Sequence, residues 1–137
     1  MDHPWRRFRA KEGWTLIWST LPDGLKGFTD HTTHTVWLDK DLQQTDRRCT
    51  ICHELAHIER GPVPSDPILK AREESAVERQ AARELIDLDA LLDALKWAHN
   101  VPEAADVLWV SDDVLKVRIE HLQPDERAWI EENLADP

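Results

Sequence analysis

Two kinds of apolar–polar patterning divide the chain. Near the N-terminus Trp14, Leu16 and Trp18 alternate with Thr15, Ile17 and Ser19, which predicts a strand near 14–20 with one face on helices. Leu21-Pro22-Asp23-Gly24 reads as a turn. Strands near Gly27–His31 and His34–Leu38 follow as a hairpin joined at Thr32-Thr33, giving a small antiparallel sheet. A short helix near Pro4–Ala10 precedes it. From Leu42 onward the pattern is helical. The loop Gly61–Pro67 holds three prolines and separates two long helices.

The first of these helices contains His53-Glu54-Leu55-Ala56-His57, an H-E-x-x-H motif. With His53 at zero and about 100° per residue, His57 falls at about 40° and Cys49 at about 320°. Ile51, Leu55 and Ile58 cluster between about 140° and about 200°, on the opposite side. The helix thus packs an aliphatic stripe on one side and carries both imidazoles on the other, where they reach one metal ion. Glu54 stands between them, placed to take a proton from the attacking water. Thr45 or Asp41 is the expected N-cap, and Gly61-Pro62 the stop. Two solvated histidines on an amphipathic helix are the plain alternative.

A hydrolytic zinc site needs a third protein ligand and one open position. The second helix, over 70–85, is highly charged, and its phase is more informative than its composition. With Glu74 at zero, Val77 falls at about 300°, Ala81 at about 340°, Leu85 at about 20° and Leu88 at about 320°. Glu74 therefore sits in the core-facing stripe, with Glu78 beside it at about 40°. Glu73 points aside, at about 260°. A carboxylate on such a stripe is costly unless paired or bound to metal, which favours Glu74 as the ligand with Glu78 in a supporting role; a solvated charge run is the plain alternative.

Together, His53 to His57 and Glu74-x-x-Val77-Glu78-Arg79-x-Ala81-Ala82 resemble the ImmA/IrrE family of zinc metallopeptidases, in particular its short actinobacterial and phage-type members. Arg47-Arg48-Cys49-Thr50 and Gly27-Phe28-Thr29-Asp30 are weaker signals of the same kind. The resemblance is good over residues 14 to 88 and loose elsewhere. It implies an α+β, minimal zincin-like fold: a small antiparallel sheet packed on the zinc-binding helices, with a helical C-terminal extension. It implies His53, His57 and Glu74 as zinc ligands in a gluzincin arrangement, Glu54 as catalytic base, and Glu78 in the place of a supporting aspartate. Val77 stands where the family has a small alanine, and Glu78 is one methylene longer than aspartate. The implied activity is zinc-dependent cleavage of a protein substrate, a helix-turn-helix repressor of a phage or mobile element. The alternative is a zinc-stabilised regulator that binds a repressor or toxin partner without cutting it.

A chain of 137 residues suits one compact domain, divided into a peptidase core over 1–88 and an extension over 89–137. The net charge of −10 disfavours direct nucleic-acid binding. No stretch reads as a membrane span or a signal peptide, so a cytoplasmic location is expected. Cys49 and Cys52 form a C-x-x-C pair inside the helix rather than at a strand–helix junction, which favours reduced, partly buried thiols. A rival metal set of Cys49, His53 and His57 would leave Glu54 and Glu74 idle. Residues 104–119 have helix-turn-helix spacing but open the second helix with Asp112-Asp113 and carry only Lys116 and Arg118, so they read as a packing or protein-docking unit. Most of the seven tryptophans are expected in the core. The chain has no tyrosine, leaving His31, His34 or an arginine as the second electrophile.

Overall fold

The computed structural model describes residues 3–135 and has an α+β architecture. Helix α1 (Pro4–Arg9) is followed by strands β1 (Thr15–Ser19), β2 (Gly27–Asp30) and β3 (Thr35–Asp39). Six helices complete it: α2 (Gln44–Arg60), α3 (Pro67–Leu85), α4 (Leu88–Trp97), α5 (Val101–Leu108), α6 (Asp112–Glu120) and α7 (Pro124–Ala135). No helix among the described residues is long and apolar enough to cross a membrane.

The sheet order is β1-β3-β2. β2 and β3 pair antiparallel, as a hairpin must, whereas β1 and β3 pair in parallel, so the sheet is mixed rather than antiparallel throughout. Asp39 holds this arrangement together. Its backbone N–H donates to Lys26 O (2.9 Å) and its carboxylate accepts from Leu21 N–H (3.0 Å), clamping both ends of the β1–β2 connection to the end of β3. At the β2–β3 turn the Asp30 carboxylate accepts from Thr32 N–H at 2.9 Å, and His34 takes the left-handed conformation with φ 52°.

α2 lies between two apolar clusters. Ile51 and Leu55 pack on Phe8, Val36 and Leu38, joining the helix to the sheet. Cys49 and Cys52 face the other cluster, with Ala81, Leu85, Leu91, Leu115 and Ile130 of the later helices. Gly61 ends α2 as expected, with φ 93° and its N–H on His57 O. The start differs: the cap is Gln43, with no side-chain capping bond, and neither Thr45 nor Asp41 serves. α3 is capped conventionally, Asp66 accepting from the N–H groups of Ile68 and Leu69 ahead of Pro67 at the first turn. Both cysteines are free and buried, and burial pushes the Cys52 thiol up to about 12.

The tryptophans depart from expectation. None of the seven falls in the buried class, and Trp97 and Trp109 are 75% and 70% exposed. Trp5, Trp14 and Trp129 pack against the edges of the clusters, and Trp5 lies against Trp18, whose ring also lies below the Arg47 guanidinium.

β2 approaches α2 closely at Gly27. A β-carbon there would meet Thr50 Cγ2 at 2.7 Å and Leu38 Cδ2 at 3.1 Å. Gly27→Ala is therefore expected to destabilise by about 1–3 kcal/mol, read by chemical denaturation. Adding Thr50→Ser removes the closest atom and should restore most of the loss. A neutral Gly27→Ala would contradict this tight seating.

Candidate active site

Three side chains converge where α2 faces α3. His53 and His57 lie one helical turn apart, with ring centroids 5.0 Å from each other. Glu74, from α3, places Oε2 at 3.4 Å from His57 Nε2 and 3.6 Å from His53 Nε2. Each contributes a donor atom to a group lying within 4.8 Å, the arrangement that holds a metal ion. Donors of a tetrahedral zinc with bonds of about 2.0–2.1 Å stand about 3.3 Å apart, so the Glu74–imidazole spacings suit such an ion. Burial, and then the neighbouring His57, lower the His53 pKa, favouring the neutral imidazole that ligation requires. The residues present thus fit a zinc-type ion.

Glu54 lies beside this group and is 3% exposed. Its Oε1 accepts from Thr29 Oγ1 of β2 at 3.3 Å. Its Oε2 is buried and has no hydrogen-bond partner among the described residues. Burial is the main reason its pKa rises to about 8; the Thr29 bond opposes the rise, and the charge of Glu74 adds to it. A carboxyl with one oxygen tethered and the other free is equipped to accept a proton and pass it on. The same burial gives a stability prediction. Because the folded pKa lies above the ordinary 4.5, metal-free protein loses stability as pH rises from about 4.5 through about 8. Glu54→Gln removes that loss. Chelator-treated Glu54→Gln should melt higher than wild type at pH 8 and alike at pH 4, with a difference on the order of 3–5 kcal/mol. Equal melting at pH 8 would contradict a buried, uncompensated carboxyl.

The neighbouring carboxylates behave differently. Glu73 turns away from the histidines and binds Arg60, whose Nη2 lies 2.9 Å from its Oε1. Glu78 is exposed, lines the cleft beside His53 and Glu54, and is not among the three converging side chains. Cys49 is not part of the converging group either; burial raises its thiol pKa. Of the two histidines from the β2–β3 turn, His31 stands close enough for its charge to couple to His57. Burial first, and His57 second, lower its pKa. Both rings contact Trp14, His34 stacked on it and His31 edge-on.

His53 and Glu54 line a cleft of about 660 Å³ that also includes Gly27 of β2, Thr50 of α2 and Ala81 of α3. Its remaining wall is α6. Sequence patterning missed two parts of this site. Thr29 lies in a strand whose alternation says which face it is on but not that Glu54 is opposite. The α6 residues are separated from the motif by some 60 positions, and nothing local links them.

The profile of the IrrE N-terminal-like domain, a peptidase family designated M78, matches residues 20–120. The chain belongs to this family. Curated proteins and solved structures gave no match. The IrrE N-terminal-like region begins at the end of β1 and closes with α6, so it includes both the H-E-x-x-H helix and the far wall of the cleft. Membership points to a metallopeptidase-like function, and His53, His57 and Glu74 are the residues that can hold its metal.

Proposed function

We propose that this chain is a zinc-dependent endopeptidase, with His53, His57 and Glu74 as ligands and Glu54 as general base. The observation that carries the reading is the buried, unpartnered Glu54 Oε2 beside three converging metal-ligand side chains. Zinc bound there would supply the electrophile that polarises the scissile carbonyl and acidifies the attacking water. Glu54 accepts the water's proton through Oε2 while Thr29 holds Oε1, then delivers it to the leaving amine. Without metal, burial holds the Glu54 carboxyl up at about 8; a cation bound beside it would lower that value and favour the carboxylate that accepts the proton. Glu78 supports the site from the cleft wall. β2 is an edge strand, and its Thr29 touches Glu54, so an extended polypeptide added along that edge would pass the base.

The substrate we propose is a helix-turn-helix repressor of a phage or mobile element, on the strength of the family resemblance. The test is co-expression with a candidate helix-turn-helix repressor. Wild type should cut it, and Glu54→Gln should hold it uncut. If neither form cuts yet both relieve repression equally, the chain is a partner-binding regulator instead.

A further inference from the structure

The cleft does not end at the metal ligands. On one face of α2, Thr50, Cys49 and Asp46 continue from His53 toward the helix N-terminus. The rise from His53 to Cys49 is about 6 Å, roughly two residues of an extended chain. There the walls become aliphatic. Cys49 and Ala81 are 8% and 3% exposed, and Val114 and Val117 of α6, three residues apart on one face, close the far side half-buried. The rim carries the exposed carboxylates of Glu78 and Asp113, with Lys116 alongside; Asp46 is already paired to Lys26 at 3.6 Å.

The α6 wall is held firmly. Arg48, adjacent to Cys49, donates from Nη1 to Trp109 O at 2.8 Å, and Ser111 Oγ caps α6 by accepting from Val114 N–H at 3.3 Å. Trp109 is kept in the left-handed region, φ 57° and ψ 43°, a conformation an aromatic residue adopts only when its surroundings impose it. At the other end the buried Arg118 donates from Nε to Ile86 O at 3.0 Å. A pocket with fixed walls presents its shape before anything enters.

We infer that this pocket seats an aliphatic side chain of an extended polypeptide substrate, one or two residues from the scissile bond, with a neighbouring lysine or arginine meeting Glu78 and Asp113. α6 is thereby the specificity element. The inference rests on the peptidase reading above, and its test separates the two. The zinc-loaded Glu54→Gln protein is applied to an array of immobilised decapeptides that vary in aliphatic and charged positions. Peptides with Leu, Ile, Val or Met beside Lys or Arg should be retained about ten- to a hundredfold better than their glycine counterparts. Val117→Trp fills the pocket and should abolish the aliphatic selection; Val114→Ala widens it and should shift selection toward Phe. Asp113→Asn should weaken the basic preference and keep the aliphatic one. Far-ultraviolet circular dichroism and zinc content monitor folding of each variant. Equal retention of leucine and glycine peptides, or unchanged selection in both folded α6 variants, would overturn the inference. Wild type on the same array reports cleavage separately. Selective retention without cutting keeps the pocket and removes the peptidase reading, whereas cutting without aliphatic selection does the reverse.

Discussion

Glu74→Ala is expected to lower zinc affinity by at least about 100-fold, more than the ~10–100-fold that loss of a supporting residue costs. Among the described residues its carboxylate is the only one brought to both imidazoles, at 3.4 and 3.6 Å, and it comes from a different helix. Two histidines remaining on α2 would leave the ion with fewer protein donors than either a structural or a catalytic zinc site has. Glu73→Ala is the paired control. That carboxylate is one residue away and of the same chemistry, but is bound to Arg60 at the end of α2. It should lose at most a surface ion pair and leave metal affinity unchanged. Competition against a chromophoric chelator reads both. Similar weakening by both substitutions would remove Glu74 from the ligand set, and unchanged zinc after Cys49→Ser with Cys52→Ser is expected as well.

The second large effect is kinetic. Glu54→Gln keeps the volume of the side chain and its ability to bond Thr29, but removes the proton acceptor at Oε2. Loss of a general base typically costs on the order of 10²–10⁴ in rate. Zinc content should be retained, because Glu54 is not one of the converging donors. The combination of full metal loading, unchanged or raised stability and lost turnover is specific to a base. A structural role for Glu54 would lower stability together with activity.

Helical phase made much of this site legible in the sequence. It set His53 and His57 on one face and chose Glu74 over Glu73, because a period of 3.6 residues fixes which side chains share a side once a few apolar positions mark the core. The same reasoning overstated burial. The Glu74 side chain, on that stripe, meets the two imidazoles and is 38% exposed. In the sheet, alternation identified all three strands but not the parallel β1–β3 pairing, which depends on Asp39 gathering a connection from 13 to 18 residues upstream. Tryptophan content suggested core where the rings lie at cluster edges, since a large ring with a polar N–H is stable half in water. The contribution of α6 to the cleft was not readable at all. Val114 and Val117 show only an apolar helix face, and what that face meets is set by long-range packing against α3.

The most direct measurement is a search for new peptide termini by mass spectrometry after the zinc-loaded protein has been incubated with a large mixed-sequence peptide library. Wild type, Glu54→Gln and chelator-treated wild type are run side by side. The expected result is a discrete set of new termini with zinc-loaded wild type, reduced at least about 100-fold in the other two samples. New termini at equal yield with Glu54→Gln, or none with wild type carrying a full zinc complement, would contradict a peptidase centre built from His53, Glu54, His57 and Glu74.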